Sequence, residues 1–324
     1  MSGAVVDERT LISTFFDRRP DRRPDRREDV ILGIGDDAAV LRPEPGFDLV
    51  VATDSIAEGT HFPPGIPAAA IGHRCLAVNL SDLAAMAAEP LWFSLALSLP
   101  QADPDWISEF SLGLFALADR YGVALVGGDT VRGPLGATVT ILGRVRPDRA
   151  VKRSGARPGD GIWVTGHPGD AVAGRLLLAE GTQGPEATAL RQRFLYPEPR
   201  VREGLALAGL ASAMLDVSDG LDDDLRKLLV ASGVGAELDA GELPLSAELR
   251  TVRGTQAVEC ALTGGDDYEL CFTVPASDEA RLREVSAHWT VPVTRIGTIV
   301  PGSDVRWRLH GQPLAIPDST FRHF

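Results

Sequence analysis

The sequence predicts an α+β protein of mixed α/β character that is divided into two domains. A chain of 324 residues is long for a single hydrophobic core. Short β-type runs and helical runs interleave in both halves without a strict βαβ cadence. A stretch rich in proline, glycine and charge, residues 146–160, separates the halves. We therefore predict an N-terminal sheet-plus-helix domain over residues 1–148 and a C-terminal α+β domain over residues 149–324.

The N-terminal half begins with a mixed-charge segment, residues 17–29, that repeats Asp-Arg-Arg-Pro. Such a segment buries no apolar surface, so we predict a loop or a mobile arm, with a phosphate-binding row of arginines as the alternative. Small and apolar residues at helical spacing predict a helix over residues 69–88. A second, amphipathic helix is predicted over residues 106–121, with Leu112, Phe115 and Leu117 on its apolar side. Strands are predicted over residues 30–34, 49–52, 91–99, 123–126 and 137–145.

The C-terminal half repeats this mixture of elements. Strands are predicted over residues 161–165, 214–217 and 269–274. Helices are predicted over residues 171–180, 200–211 and 221–229. A further apolar run, residues 257–262, leads into the glycine-rich turn Gly264-Gly265-Asp266-Asp267.

The charge balance argues against nucleic acid as a partner. The formal net charge is −13, and no basic stripe with interleaved aromatic residues is present. Lys152 and Lys227 are the only lysines, so we expect phosphate to be bound mainly by arginine, backbone N–H groups and metal ions.

The remaining bulk features predict a soluble, cytoplasmic protein. Cys75, Cys260 and Cys271 lie in apolar runs without metal-ligand spacing and are interpreted as small buried hydrophobic residues in a reducing compartment. Charged residues interrupt the first segment, so no signal peptide is predicted. The apolar stretch at residues 91–99 is shorter than the ~20 residues that cross a bilayer.

The most informative pattern is a repeated small residue followed by aspartate at the end of an apolar run. It occurs at Gly35-Asp36-Asp37, Thr53-Asp54, Gly128-Asp129, Ser218-Asp219 and Gly265-Asp266-Asp267, and Asp82 lies in an apolar helical stretch. One such step is typical of a β-turn. Several that converge would repel one another unless a cation lies between them, and carboxylates suit a hard divalent metal.

Local geometry refines this hypothesis. Asp36 and Asp37 are adjacent, so an extended backbone would direct them to opposite faces, and one of them is expected to reach a metal. Asp216 and Asp219 would share one face if their turn coils helically. Ser218 and Gly220 allow close backbone approach at a helix N-terminus, which is a natural phosphate site.

Many carboxylates and few lysines favour a nucleoside triphosphate whose charge is neutralised by several Mg²⁺ ions. Structural Ca²⁺ or plain turns are the alternatives. The chain has no P-loop, no protein-kinase catalytic motifs and no Gly-x-Ser-x-Gly elbow. The segment 33–38 fails the dinucleotide-binding pattern at its third glycine.

These motifs resemble those of the thiamine-monophosphate kinase family, in the superfamily of aminoimidazole-ribonucleotide synthetase and selenophosphate synthetase. The matching segments run in the family's order and cover nearly the whole chain. They are GIGDDAAV (33–40), ATDSIAEGTHF (52–62), AVNLSDLAAMAAEP (77–90), GGDTVRG (127–133), RSGARPGD (153–160), LDVSDGL (215–221) and GGDDYELCF (264–272).

The resemblance implies ATP-dependent phosphorylation of thiamine monophosphate to thiamine diphosphate by direct in-line transfer. It implies a homodimer whose N-terminal sheets join into a barrel, and a C-terminal α+β domain. By position, Mg²⁺ would be held by Asp37, Thr53, Asp54, Asp82, Asp129, Asp216 and Asp219. ATP would contact Tyr121, Gly128, Asp129, Arg153 and Ser218. Thiamine monophosphate would contact His61, Asp266 and Phe321. The attacking phosphate oxygen is already ionised, so no general base is assigned.

Three of these residues have simpler alternatives from the sequence itself: His61 as a hydrogen-bonded loop histidine, Phe321 as an anchor of the C-terminal tail, and Arg153 as a solvated linker residue. The chain departs from the family at Ala52, where a hydroxyl residue is common, and at Asp266, where glutamate is frequent. Two other functions stay open. One is another ATP-using member of the superfamily, and the other is a non-enzymatic, metal-stabilised dimer module.

Overall fold

The protein consists of two units in a computed structural model that describes residues 8–17 and 27–317. The N-terminal unit comprises residues up to Leu83 together with Glu89–Pro147. The C-terminal unit comprises Ala84–Ala88 and the chain from Asp148 onward. Each unit has its own β-sheet.

The N-terminal unit is a four-stranded sheet with two long helices. Its sheet has the order β3-β6-β4-β5, in which β4 and β5 are parallel and the other neighbours are antiparallel. Strands β1 and β2 form a separate antiparallel pair. The elements are α1 (Glu8–Leu11), the π-helical turn Ile12–Phe16, β1 (Val30–Leu32), β2 (Val40–Leu41), β3 (Asp48–Ala57), α2 (Ala68–Ala85), β4 (Glu89–Leu99), α3 (Pro104–Tyr121), β5 (Ala124–Arg132) and β6 (Gly136–Val145).

The two faces of this sheet differ in burial. Side chains alternate along β6, and Val139 and Ile141 on one face are fully buried. Helix α2 covers that face. Its Leu83 side chain packs so closely on β6 that a Cβ added to Gly143 would lie only 2.9 Å from it. The opposite face, here called the open face, carries exposed residues of β3 and β5: Leu49, Val51, Thr53, Ser55 and Val131.

Helices α2 and α3 touch backbone to backbone. A Cβ on Gly72 would lie 2.0 Å from the carbonyl oxygen of Phe110, and one on Gly113 would lie 1.9 Å from that of Ala69. Helix α3 begins at the cap Asp103, whose carboxylate accepts the backbone N–H of Asp105 at 3.0 Å. Small residues in the predicted helical runs therefore permit the close approach of the two helices.

The C-terminal unit is built on a seven-stranded sheet of order β13-β12-β9-β11-β7-β10-β8. Leucines of α7 pack in its main core with Ile162, Leu215 and Trp307. The elements are β7 (Gly161–Thr165), α4 (Asp170–Glu180), α5 (Pro185–Leu195), α6 (Val201–Ala206), β8 (Ala213–Val217), α7 (Leu221–Ser232), β9 (Gly235–Asp239), α8 (Ala247–Arg253), α9 (Ala257–Thr263), β10 (Glu269–Val274), α10 (Glu279–Ser286), β11 (Val293–Val300), β12 (Val305–Leu309) and β13 (Gln312–Leu314).

The predicted mixture of helices and strands is confirmed, with several corrections. The strands predicted to end before Thr53-Asp54 and Gly128-Asp129 instead continue through them as β3 and β5, because each residue pair keeps its ladder partners. The helix predicted over 200–211 is limited to Val201–Ala206. Leu112 is 65% exposed, so it does not lie on the apolar side of α3, where Phe115 and Leu117 are buried.

Several elements were not anticipated, namely α5, α8, α10, β9 and the strands after residue 290. The apolar run at 257–262 forms α9. Within residues 8–17 and 27–317, no helix combines the length and the apolar character that a membrane crossing would need.

Candidate active site

A cavity of about 640 Å³ in the N-terminal unit brings together two of the predicted aspartate motifs. Its walls include the loop of residues 33–39 and the stretch of β5 from 125 to 130. Asp36, Asp37, Gly128 and Asp129 all line it. Three residues predicted to hold metal or nucleotide therefore share one cavity: Asp37, Gly128 and Asp129.

The adjacent pair Asp36 and Asp37 does not behave as an extended strand. The backbone N–H of Asp37 donates to the Asp36 carboxylate at 2.8 Å, which makes a tight local turn. Both residues line the same cavity, and the expectation that one of them reaches a metal stays a prediction.

The second predicted group surrounds Thr53 and Asp54 on β3. The Thr53 hydroxyl lies 2.9 Å from that of Thr140, on the open face. The backbone N–H of Asp54 donates at 3.0 Å to the side chain of Asn79, which is fully buried in α2. Asp82 follows Asn79 by three residues and so lies on the same side of α2. Asp54 and Asp82 are therefore brought to one region by a strand-to-helix hydrogen bond.

Asp54 and Asp129 leave the sheet on opposite faces. Residues that pair across strands share a face, and the two rows are Asp54–Val139–Leu95–Gly128 and Ser55–Thr138–Ala96–Asp129. Asp54 is on the side of buried Val139, and Asp129 is on the open face. The two aspartates are also separated by three strand spacings, roughly 14 Å. The N-terminal unit thus has two carboxylate regions, one around Asp54 and one around Asp129, on opposite sides of its sheet.

His61 and Tyr121 are half-buried residues with local partners. The Nδ1 atom of His61 accepts the backbone N–H of Ala57 at 3.0 Å, so the proton of the neutral ring is on Nε2. Tyr121 ends α3, and the Arg120 guanidinium carbon lies 5.5 Å from the centroid of its ring. The structure thus gives His61 a structural hydrogen bond in addition to any role in binding.

In the C-terminal unit, Asp219 belongs to a cluster of three aspartates at the start of α7. Oxygen atoms of Asp219, Asp223 and Asp224 lie within 4.8 Å of one another. The ammonium of Lys227 lies among them, 2.5 Å from Asp219, 2.7 Å from Asp224 and 3.0 Å from Asp223. Burial alone would lower the pKa of Lys227, but its hydrogen bonds to Asp219 and Asp224 outweigh burial and raise that pKa above its usual value.

Asp224 also determines the backbone of the loop before α7. Its second carboxylate oxygen accepts the N–H groups of Ser218 at 2.8 Å, Asp219 at 2.9 Å and Gly220 at 3.2 Å. The phosphate site predicted at these N–H groups is therefore occupied by a carboxylate of the chain itself. Asp216 lies in β8, paired with Leu270, so it does not share a helical face with Asp219.

The glycine-rich turn before β10 packs against the Ser218–Asp219 loop. The Asp266 N–H donates to the Ser218 carbonyl at 2.9 Å, and the Tyr268 N–H donates to that of Val217 at 2.8 Å. Asp266 and Tyr268 have φ values of 71° and 52°, a conformation that is uncommon for residues other than glycine. The Tyr268 hydroxyl lies 3.4 Å from the Asp266 carboxylate. Predicted nucleotide and substrate residues, Ser218 and Asp266, are thus adjacent.

Asp267, between these two strained residues, has a structural role that the sequence did not reveal. Its carboxylate accepts the N–H groups of Gly169 at 2.7 Å and Ala171 at 3.1 Å, at the start of α4. Burial raises its pKa well above the usual value, although these two hydrogen bonds oppose the rise. The turn is therefore anchored to α4 by a buried carboxyl group.

A buried ion pair between Arg200 and Glu269 lies at the start of β10. Arg200 donates to Glu269 from Nε at 2.6 Å and from Nη2 at 2.5 Å, and the Thr165 hydroxyl donates at 2.6 Å. Both charged side chains are buried. Neither Arg200 nor Glu269 was singled out by the sequence, because their pairing joins residues 69 positions apart.

The remaining predicted residues contribute less to this geometry. Arg153 is exposed, and its carbonyl accepts the Ser232 hydroxyl at 3.1 Å. Phe321 and residues 18–26 of the arginine-rich segment lie outside the described residues. At the end of that segment, Arg27 forms an ion pair with Asp29 at 2.6 Å. The three cysteines are free thiols, two buried and Cys260 half-buried.

The donor chemistry of the two units differs. Asp36, Asp37 and Asp129 around the N-terminal cavity, and Asp54 with Asp82 on the other side of the sheet, offer the oxygen ligands that Mg²⁺ prefers. In the C-terminal cluster, one ammonium already lies among three carboxylates. The carboxylates of the N-terminal unit are therefore of the donor type that a divalent ion prefers, whereas the three carboxylates that lie close together among the described residues are Asp219, Asp223 and Asp224.

Models of known families match both halves of the chain. Residues 35–145 match the N-terminal domain of AIR synthase related proteins, and residues 157–310 match the C-terminal domain of the same proteins. The two matches define the class as an AIR-synthase-related protein of mixed α+β, two-domain fold.

More similar relatives narrow this class. The chain is 45% identical over 322 residues to thiamine-monophosphate kinase of Salmonella typhimurium, covering 98% of each protein. The crystal structure of thiamine-monophosphate kinase from Stenotrophomonas maltophilia is 47% identical, with a TM-score of 0.84 over 89% of this chain and 93% of that one. The structure of AaThiL complexed with AMPPCP and TMP is 32% identical, with a TM-score of 0.76 over 89% and 92%. The chain belongs to the thiamine-monophosphate kinase family.

Proposed function

We propose that this protein transfers the γ-phosphoryl group of ATP to thiamine monophosphate, giving thiamine diphosphate and ADP. The observation that carries the proposal is full-length similarity to thiamine-monophosphate kinases, 45% identity over 98% of both chains. AMPPCP is a non-hydrolysable analogue of ATP, and a relative binds it together with TMP. The clustering of Asp37, Gly128 and Asp129 around one cavity supports a nucleotide site in the N-terminal unit.

The residues proposed for this reaction follow the family resemblance. Mg²⁺ ligands are Asp37, Thr53, Asp54, Asp82, Asp129, Asp216 and Asp219. ATP contacts are Tyr121, Gly128, Asp129, Arg153 and Ser218, and thiamine monophosphate contacts are His61, Asp266 and Phe321. Bound Mg²⁺ would neutralise phosphate oxygens and stabilise charge on the transferring group.

The side chains of the protein position the reacting groups and the metal ligands, and they are not needed as acids or bases. The Asn79 side chain fixes the backbone at Asp54, and Asp224 fixes the backbone at Ser218 and Asp219. These bonds fix the backbone that carries the carboxylates before any substrate arrives, which favours transition-state stabilisation with little reorganisation. The attacking group is a phosphate oxygen that is ionised at neutral pH, so in-line transfer needs no general base.

The decisive experiment incubates the purified protein with ATP, Mg²⁺ and thiamine monophosphate and measures thiamine diphosphate directly. We expect product that depends on all three components. Free thiamine is expected to fail as acceptor, because it lacks the phosphate oxygen. ATP consumption with another acceptor, without thiamine diphosphate, would assign the protein to a different ATP-using branch of the superfamily.

The rival functions are less well supported. A selenophosphate synthetase would be expected to carry a reactive cysteine or selenocysteine and a lysine near the N-terminus, whereas here the first cysteine is Cys75 and the first lysine is Lys152. A non-enzymatic dimer module would bind divalent ions without turning over ATP. The product assay separates this alternative from the kinase.

We further propose that the protein is a homodimer whose two N-terminal sheets face each other in a barrel. The support is the open face, where Leu49, Val51 and Val131 are 48%, 58% and 50% exposed. Exposed apolar side chains on a sheet face are typical of an interface, and a two-fold dimer would pair this face with itself. The three free cysteines are compatible with the cytoplasmic location that we propose.

A further inference from the structure

One ammonium group satisfies the aspartate cluster at the start of α7. Lys227 lies 2.5 Å from Asp219, 2.7 Å from Asp224 and 3.0 Å from Asp223. An ammonium has three N–H donors, and three carboxylates surround it. The three distances therefore describe a hydrogen-bonded centre that has one cation and three anions.

The same centre restrains the loop that carries Asp219 in two ways. One oxygen of Asp224 binds Lys227, and the other binds the backbone N–H groups of Ser218, Asp219 and Gly220. Lys227 in turn binds the Asp219 side chain. Asp224 is 3% exposed, so the anchor is rigid, whereas the side chains of Lys227 and Asp219 are 37% and 39% exposed.

Charge balance makes a cation necessary at this position. Three carboxylates within 4.8 Å repel one another unless a positive charge separates them. A divalent ion coordinated by the same oxygens would lie close to the ammonium and be repelled by it. Either a lysine or a divalent ion can therefore balance the charge of this cluster, and here one of the two lysines of the chain does so.

We propose that Lys227 takes the place of a divalent cation in the Asp219–Asp223–Asp224 cluster and acts as a positioning residue for Asp219. Its ammonium engages Oδ2 of Asp219, so Oδ1 is the oxygen available to an ion that arrives with the nucleotide. The role of Asp219 toward such an ion rests on the proposed function. The replacement of a divalent cation by Lys227 does not depend on it.

The test counts Mn²⁺ ions bound to the nucleotide-free protein by electron paramagnetic resonance. We expect Lys227→Met to bind one Mn²⁺ more than wild type, because the cluster has lost its cation. Lys227→Arg keeps the charge and is expected to match wild type. The matched control is Arg226→Met, which removes a cation from the neighbouring position, where Arg226 pairs with Asp222 at 2.9 Å, and is expected to gain no ion.

A kinetic measurement separates positioning from general stability. In Lys227→Met, we expect the Mg²⁺ concentration for half-maximal activity to rise about tenfold, while kcat at saturating Mg²⁺ stays within about threefold of wild type. The reason is that an additional ion must fill the cluster before Asp219 is held. A structural defect alone would lower kcat at every Mg²⁺ concentration.

Two results would overturn the proposal. One is a folded Lys227→Met protein that binds no additional Mn²⁺, and the other is a nucleotide-free wild type whose bound Mn²⁺ is lost in Asp223→Asn. If Lys227→Met does not fold, Lys227→Gln, which is neutral but can hydrogen-bond, is used for the same count. The ion count needs no kinase activity, so a wild type that makes no thiamine diphosphate would reject the proposed function and leave this result standing.

Discussion

Aspartate residues with similar sequence contexts have two different roles in this protein. Asp224 and Asp267 are buried and accept backbone N–H groups, so each fixes the conformation of a loop. The Asp54 side chain is exposed, and that of Asp219 is half-buried and bound to Lys227. The backbone N–H groups of these two residues are held by Asn79 and by Asp224. The buried Asp224 thus fixes the loop that carries Asp219, while Asn79 fixes the backbone at Asp54.

The first prediction concerns Asp54. Asp54→Asn is expected to keep the fold and to reduce kcat/KM for thiamine diphosphate formation by at least about tenfold, because a neutral amide is a weak ligand for Mg²⁺. Its melting temperature should match that of wild type, since the hydrogen bond to Asn79 uses the backbone N–H. Asp48→Asn, at the exposed start of the same strand, is the control and should be fully active. Unimpaired turnover of Asp54→Asn would remove it from the metal site.

The second prediction concerns the buried pair of Arg200 and Glu269, which lie 2.5–2.6 Å apart. Arg200→Met leaves the Glu269 charge buried without its partner, so the free energy of unfolding should fall by about 3–5 kcal/mol. Chemical denaturation measures this loss. In the control pair, Arg306 and Asp304 are 56% and 69% exposed, and Arg306→Met should change stability by less than about 1 kcal/mol. Equal midpoints for the two variants would contradict the assignment.

At the scale of elements, each functional loop is fixed by the elements that flank it. The turn before β10 is bonded to the loop before α7 and to the first residues of α4. Strand β3 is bonded to α2 through Asn79. A substitution in α4 is therefore expected to alter the turn before β10, and one at Asn79 of α2 to alter β3.

The start of α4 gives a prediction about pH. Burial raises the pKa of Asp170 to about 6, although a hydrogen bond from Ser246 at 2.6 Å and the nearby His167 oppose the rise. The folded state therefore binds this proton more tightly than the unfolded state, whose usual value is 3.8. The contribution of Asp170 to stability is accordingly greatest at low pH and is lost as pH rises through about 6.

The measurement is chemical denaturation at pH 5 and pH 7. In wild type, ionisation of Asp170 should contribute about 1 kcal/mol to the loss of stability between these two pH values, and Asp170→Asn should abolish that part. The exposed Asp105→Asn, in the first turn of α3, is the control and should retain the wild-type difference. An unchanged pH difference in Asp170→Asn would show that other groups cause it.

At the scale of the whole molecule, the proposed dimer would explain why the open face exposes apolar side chains to solvent in a single chain. Its apolar residues are exposed, and Asp129 projects from this face, away from Asp54. A second copy on this face would cover these apolar side chains and enclose Asp129. The Asp129 region would then border an interface instead of open solvent, whereas the Asp54 region lies on the opposite side of the sheet.

The corresponding prediction uses Val51, which is 58% exposed on this face. Light scattering of wild type should give about twice the 34.5 kDa of one chain. Val51→Glu should shift the protein toward monomer, because a buried unpaired charge opposes association. Val230→Glu, at an 82% exposed position of α7, is the control and should remain dimeric. A monomeric wild type would reject the dimer.

The sequence predicted the long, strongly patterned elements well. Alternation and helical spacing identified α2, β4, α3 and β6 to within a few residues, because each of them buries one face. It placed strand ends wrongly at Thr53 and Gly128, because polar and small residues within a strand look like turns when the ladder partners are unknown. It missed Lys227, Asp267 and Arg200, whose partners are set by packing of the C-terminal unit.

The sequence by itself determined the class of fold, the acidic motifs and the family, since these depend on local periodicity and on motifs that can be read in order. Only the tertiary structure decided which aspartates are buried anchors, which line a cavity and which surround a lysine. The physical reason is that the state of a carboxylate depends on its burial and on the charges and N–H groups within a few ångströms. Those neighbours come from distant parts of the chain, and folding alone brings them together.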